Sequence, residues 1–204
     1  MDKKNHWEKI YTQKNADDVS WFQERPEKSL EIIQHISQSK DDAIIDVGGG
    51  ASTLVDYLYH AHYKDITILD LSVAALEQSK LRLQQLAEQI EWLEGDITAI
   101  DLPKHRYQIW HDRAVFHFLT QKQDREKYVE LVSHSVKPGG YVLIATFGLD
   151  GPDKCSGLPI VKYDPDSLHN EFGARFALKE HHIELHDTPF GTTQQFMYCY
   201  CLKE

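Results

Sequence analysis

The chain has 204 residues, of which 41% are hydrophobic and 26% charged, with a formal net charge of -10. That length suits one domain with a sizeable core of its own, and the absence of a basic tail or stripe argues against non-specific nucleic-acid binding, leaving only a local basic patch for any RNA contact. Cys155, Cys199 and Cys201 are odd in number and lack C-x-x-C spacing, so neither a disulfide framework nor a structural zinc site is expected.

The first ten residues, MDKKNHWEKI, carry no apolar segment, and no run reaches the roughly 18 apolar residues of a membrane span. A cytoplasmic protein without a signal peptide is expected. Residues 3–14 read as a short helix with Trp7, Ile10 and Tyr11 on one face. Pro26 suits the first turn of a second helix, striped by Leu30, Ile33 and Ile36. Residues 1–40 thus form a helical cap on a single domain spanning 1–204.

From there, short apolar runs alternate with helical periods. Residues 43–47 read as a strand buried on both faces and stop at Gly48-Gly49-Gly50. A helix over 53–61 follows, then a strand over 66–69. A long helix over 73–88 turns Leu76, Leu83, Leu86 and Ala87 inward. Strands over 90–93 and 107–110 lead to a helix over 125–136, stopped by Lys137-Pro138-Gly139-Gly140, and a fifth strand over 141–147. Two last strand-like runs, 176–188 and 194–202, are separated by a link too short for anything but an antiparallel pair. The expected fold is α/β: a doubly wound, mostly parallel seven-stranded sheet with an antiparallel C-terminal hairpin and helices on both faces.

In such a sheet ligands bind beyond the C-terminal strand ends, at the switch point. The first strand ends Asp46-Val47-Gly48-Gly49-Gly50-Ala51-Ser52. Three glycines allow close backbone approach to a ligand, and the helix that follows offers free N–H groups to an anion such as a carboxylate. Asp46 can accept from an ammonium. A ligand-free tight turn needs fewer glycines. The second strand ends at Asp70-Leu71-Ser72, where an acid can take both hydroxyls of a ribose. Asp70 could instead cap the next helix, but Ser72 fits that cap better. The third ends Glu94-Gly95-Asp96-Ile97, where Asp96 can read an exocyclic adenine amine and Ile97 can pack on the ring, although an Asp-containing turn is common. The three acids recur at intervals of 24 and 26 residues, one βα unit each, which lines them along one sheet edge. A nicotinamide dehydrogenase would need glycine at 53 to complete G-x-G-x-x-G from Gly48, and Thr53 stands there.

Taken together, these motifs resemble the class I S-adenosylmethionine (SAM)-dependent methyltransferases along nearly the whole chain. Asp46-Val47-Gly48-Gly49-Gly50 resembles their glycine-rich motif, Asp70 their ribose acid and Gly95-Asp96-Ile97 their adenine segment. Trp110-His111-Asp112-Arg113 resembles their fourth-strand motif beside the methionine moiety, and residues 136–144 the linker into strand five. A departure is Gly50-Ala51-Ser52, where many members carry a further glycine. The stretch Trp7-x-x-x-Tyr11 with Val19-Ser20-Trp21-Phe22 is similar to thiopurine-methyltransferase-like enzymes and to protein-lysine methyltransferases. The resemblance implies SAM as cofactor, S-adenosylhomocysteine (SAH) as product, and contacts from Asp46, Gly48, Gly49, Gly50, Ser52, Asp70, Leu71, Asp96, Ile97, His111 and Trp21. It implies Trp21 and Phe22 over the methionine end or the acceptor; aromatic packing of the N-terminal helices explains Trp7 and Tyr11 equally well.

Methyl transfer needs alignment and desolvation, and a base only if the nucleophile arrives protonated. His111, Asp112 and His117 are the candidate catalytic groups. His117, in the apolar segment 113–119, fits a hydrogen-bonded core histidine better than a base. Arg113 and Cys155 are candidate acceptor contacts; Cys155 falls in the long loop 148–159, where an incidental thiol is the better fit because no base is adjacent in sequence. His181, His182 and His186 alternate as on a solvated strand face, and no metal site is expected. The expected acceptor is a small-molecule nucleophile or a protein lysine, with no nucleic-acid or membrane partner, in a monomer or homodimer. The alternative is a non-catalytic SAM-binding sensor or partner subunit.

Overall fold

The computed structural model describes residues 2–204. Helix α1 spans Lys3–Gln13, its start capped by Asp2, whose carboxylate accepts from the Lys4 and Asn5 amides. Helix α2 spans Glu27–Ile36, with Pro26 at the cap position just outside the first turn, and buries Leu30, Ile33 and Ile36. Strand β1, Ala43–Val47, is buried at every residue. Helix α3 (Leu54–His60), strand β2 (Asp65–Asp70) and helix α4 (Val73–Leu83) follow, the last capped by Ser72, whose Oγ accepts from the Ala75 amide. Then come β3 (Glu91–Glu94), β4 (Tyr107–Arg113), α5 (Lys122–Ser135) and β5 (Val136–Phe147). A two-stranded hairpin, β6 (Lys154–Cys155) and β7 (Leu158–Pro159), precedes α6 (Pro165–Phe172). Strands β8 (Phe176–Asp187) and β9 (Thr193–Lys203) end the chain.

The seven-stranded sheet has the order β3-β2-β1-β4-β5-β9-β8. Strands β1 to β5 run parallel, while β9 pairs antiparallel with β5 and with β8. Because inner strands alternate their side chains, Ile44, Ile109 and Leu143 pack on one face, and Ile45, Trp110 and Val142 on the other. Each such buried aliphatic contributes roughly 1.5–3 kcal/mol relative to exposure. The order reverses between β1 and β4, so the crevice for a ligand opens above those two strand ends.

Several elements differ from the sequence reading. The helix expected over 73–88 stops at Leu83: Gln84 takes φ +53° and the chain continues as 3-10 turns over Gln84–Gln89, leaving Leu86 and Ala87 only partly buried. Trp92 Nε1 donates to the Ala87 carbonyl at 2.9 Å, which fastens this tighter path beside β3. Strand β4 runs three residues beyond Trp110, because β1 and β5 pair with it on both sides up to Asp112. Lys137 to Gly140 do not precede β5 but bulge within it: Val136 pairs with Tyr107, and pairing resumes at Tyr141 with Ile109. The β6–β7 hairpin forms at the end of the segment expected as a long loop, 148–159, and α6 lies in a stretch given no element above. No helix is long and apolar enough to cross a membrane, among the described residues.

Candidate functional site

Above the β1–β4 switch point lie two adjoining chambers whose empty space, open solvent included, is about 830 and 560 Å³. Tyr11, Trp21, Gly48 and Arg113 belong to both walls. The glycine turn makes the floor. Gly48 takes φ +74°, and its amide donates to the Leu69 carbonyl at 2.7 Å. A Cβ on Gly49 would run into the Asp46 carboxylate, and one on Gly50 would lie 2.7 Å from Asp70 Oδ2. Glycines at 49 and 50 are therefore required by the two acids themselves.

Asp70 sits at the end of β2 on the wall of the larger chamber. Its Oδ2 accepts from the Gly50 amide at 3.0 Å and its Oδ1 from the Ser72 amide at 2.8 Å. Each oxygen keeps a second acceptor site, so two hydroxyl donors can still be met. Burial pushes this carboxyl up to about 6, against the pull of those amides and with Asp46 adding to the rise. Asp96 and Ile97 line the same chamber, as does Leu71. Asp96 Oδ1 accepts from the Thr98 amide at 2.8 Å and from its hydroxyl at 2.7 Å, so it closes an Asp-containing turn as well as facing the cavity.

The smaller chamber is walled by Phe22, Ser29, Asp46, Gly49, Ser52 and His111. Asp46 and His111 are register partners in the parallel β1–β4 pair. His111 Nδ1 lies 2.7 Å from Asp46 Oδ1, and Nε2 lies 2.9 Å from Ser29 Oγ. Asp46 Oδ2 is buried without a hydrogen-bond partner. An orphaned carboxylate oxygen beside a cavity fits a cationic donor such as an ammonium. Together with the glycine floor and Asp70, it makes the residues present compatible with an amino-acid-bearing nucleoside.

Helix α1 roofs both chambers. Glu8 accepts from Ser72 Oγ at 2.8 Å and from the Ala74 amide at 3.2 Å, and Gln78 donates to the Tyr11 and Lys14 carbonyls. Trp7 packs edge-on against Trp21 and Phe118 at centroid distances of 5.6 and 5.1 Å. Arg113, at the end of β4, holds the chain after α1 in place: Nη1 donates to the Trp21 carbonyl and Nε to the Tyr198 hydroxyl, both at 2.9 Å, over the Phe196 ring. Cys155, on β6, contributes a buried wall to the larger chamber, and burial pushes its thiol up to about 12.

Two of the three candidate bases lie outside both linings. Asp112 is fully buried and accepts from the Val115 and Phe116 amides and, at 2.6 Å, from the Tyr128 hydroxyl. It shapes the turn after β4. Burial pushes it up to about 6. His117 is also fully buried; its Nδ1 accepts from the Phe147 amide, and burial pushes it down to about 3. It is therefore a neutral core histidine. His111 does face a chamber, but both its nitrogens are engaged. His186 departs from the solvated face expected of it: its ring is buried and Nε2 donates to the Ser20 carbonyl at 2.9 Å. Among the described residues no cluster of His, Cys, Asp or Glu could hold a metal. Sequence reasoning missed Ser29, Val115 and Phe118. Nothing local marks Ser29, whereas Phe118 could have been found from its aromatic neighbours at the end of β4.

A family model described as a methyltransferase domain matches residues 44–140. The eEF1A lysine and N-terminal methyltransferase of Bos taurus is 24% identical over 139 residues, covering 68% of this chain and 20% of that protein. The chain thus spans about a fifth of the length of this relative. A ubiquinone/menaquinone biosynthesis C-methyltransferase from Ruegeria is 28% identical over 109 residues, 51% of this chain and 42% of that one. Among solved structures, a SAM-dependent methyltransferase from Anabaena variabilis superposes with a TM-score of 0.77 at 15% identity, covering 100% of this chain and 96% of its own. The 1,6-didemethyltoxoflavin-N1-methyltransferase of Burkholderia thailandensis, with 1,6-didemethyltoxoflavin and SAH bound, does so with a TM-score of 0.72 at 15% identity, covering 87% and 77%.

Proposed function

We propose that this chain, a class I SAM-dependent methyltransferase, methylates a small-molecule nucleophile held under Trp7, Trp21 and Phe118. The observation that carries this reading is the roof: helix α1 lays Trp7 and Tyr11 along the larger chamber, and with Trp21 and Phe118 they give it an aromatic wall. Such a wall suits a compact, largely apolar acceptor.

When bound, SAM supplies a methyl group on a positively charged sulfur. In this reading Asp70 takes the ribose hydroxyls, Asp96 and Ile97 meet the adenine, and Asp46 with the glycine floor and Ser52 meets the methionine end. Residues 2–40 act as a cap on the SAM-binding domain. Trp21 and Arg113 stand where the two chambers join, beside the path of the methyl group, and Phe22 lines the smaller chamber next to them. The acceptor's lone pair forms the new bond to the methyl carbon as the carbon–sulfur bond breaks, leaving SAH. Among the described residues lining the larger chamber, the Asp70 and Asp96 carboxylates go to the cofactor in this reading, the Cys155 thiol is pushed up to about 12, and Lys3 and Arg113 are cationic residues, so none is left as a base for the acceptor. The acceptor therefore arrives deprotonated or sheds its proton to water.

A second reading, a protein lysine or N-terminal amine as acceptor, is favoured by the similarity to the eEF1A methyltransferases. One experiment separates the readings. The protein is incubated with methyl-tritiated SAM and a fractionated cell extract. Label in the small-molecule fraction is expected. Label in a protein band overturns the small-molecule acceptor in favour of the amine of a protein. Tight SAM binding with no labelled product in any fraction overturns both, in favour of a sensor or partner subunit.

A further inference from the structure

We infer that Ser29 and His111 form a positioning relay that aims Asp46 at the α-ammonium of the cofactor's methionine moiety. The inference rests on the cofactor reading above and adds to it two residues from outside the glycine turn. Three buried side chains from three elements stand in line: Ser29 on α2, His111 on β4 and Asp46 on β1. Their exposures are 0%, 3% and 2%. The spacings, 2.9 Å and 2.7 Å, are those of well-formed hydrogen bonds.

The chemistry gives the line a direction. A carboxylate only accepts, so Nδ1–H of His111 donates to Asp46 Oδ1. With a neutral ring, Nε2 then accepts from the Ser29 hydroxyl; in either protonation state both ring nitrogens are used. A flip of the imidazole would put carbon atoms against both partners, so Ser29 fixes the ring and the ring fixes the carboxylate. Oδ1 is thereby taken, and Oδ2 is left buried, unpartnered and beside the smaller chamber. A buried acceptor without a donor is costly, and a ligand ammonium offsets that cost. The line of serine, histidine and aspartate has the order of a hydrolase triad, but here the unpartnered atom is on the aspartate, while the Ser29 hydroxyl is taken up by His111. The arrangement orients a carboxylate and does not generate a nucleophile.

The test uses two ligands that share the nucleoside thioether but differ in the amino-acid group. SAH carries it and 5′-methylthioadenosine lacks it. Affinities are measured calorimetrically on the full chain for the wild type, His111→Leu, His111→Asn and Ser29→Ala. His111→Leu removes both bonds and is expected to weaken SAH by about 10–100-fold, with methylthioadenosine unchanged. Ser29→Ala is expected to weaken SAH by about 3–10-fold. His111→Asn keeps a donor near the Nδ1 position and should fall between the wild type and His111→Leu. Equal losses for both ligands would reduce the relay to general packing and overturn it, as would no loss for either. If His111→Leu does not fold, the other two variants decide by the same comparison. A wild type that binds neither ligand defeats the cofactor reading itself, which is a different outcome from a failed relay.

Discussion

Trp21 Nε1 donates to the Tyr11 hydroxyl at 3.2 Å, tying the strap after α1 to α1 itself across the wall that the two chambers share. A ligand filling both chambers lies beneath this bond and has to disturb it to leave. Tyr11→Phe removes the hydroxyl and keeps the ring that packs against Trp7 and Trp21. One such hydrogen bond is worth about 1 kcal/mol, or roughly fivefold. SAH is expected to dissociate about that much faster from Tyr11→Phe in a stopped-flow displacement experiment. An unchanged dissociation rate would mean that the strap does not gate the site.

With Asp70 on the ribose as proposed, cofactor affinity and stability should respond to pH in opposite directions. Its carboxyl is raised to about 6 in the fold from an ordinary value of 3.8. Between those values the folded chain holds more protons than the unfolded chain, so stability from this group is present at low pH and lost as pH rises through about 6. Asp112, also pushed up to about 6, acts in the same sense. Ribose hydroxyls, in contrast, prefer the carboxylate. SAH affinity is expected to fall about tenfold from pH 7.5 to pH 5. Over the same change the contribution of these two acids to ligand-free thermal stability rises. In Asp70→Asn the pH dependence of binding should flatten, and affinity should drop by about 10–100-fold at pH 7.5. A wild-type affinity independent of pH across this range would remove Asp70 from the ribose contact.

How much of this was legible in the sequence follows from how local each signal is. The run at residues 43–47 announced a strand buried on both faces, and the acids at 46, 70 and 96 announced strand ends because the βα period placed them there. Ser29 was invisible: it lies far from Asp46 in sequence, and only the packing of α2 against the sheet brings it to His111. Asp112 looked like another strand-end acid until Tyr128, on α5, supplied its partner. Helix α6 carries a local signal of its own, since Asp164 and Ser167 flank Pro165 as a capping box at its start. The break after Leu83 had none, because Gln84 gives no sequence warning of a positive φ.

Asp112 provides the contrast between a structural acid and a ligand acid. Its oxygens satisfy two backbone amides and the Tyr128 hydroxyl in a fully buried turn. Replacing it with alanine leaves those donors unpaired. Asp112→Ala is expected to lose about 2–3 kcal/mol in urea unfolding, while the fraction that remains folded binds SAH with near wild-type affinity. Wild-type stability combined with lost methyl transfer would restore Asp112 as a catalytic group.

Cys155 is the one thiol on the wall of the larger chamber, among the described residues, and its chemistry there is that of a small apolar group. It is 3% exposed, and burial raises its ionisation to about 12, with the Arg113 cation only partly opposing the rise. The thiolate is the reactive form, and its population falls tenfold for each unit of that rise. Iodoacetamide at pH 7.5 is therefore expected to alkylate Cys155 at least about tenfold more slowly than a free cysteine. Cys155→Ser is expected to keep methyl transfer, because no step needs a sulfur nucleophile. Cys155→Phe, which fills the chamber beside Trp7 and Phe118, should abolish acceptor turnover while the distant Asp46 end of the site remains intact. Rapid alkylation with loss of activity, together with an inactive Cys155→Ser, would mean that the thiol takes part in the chemistry.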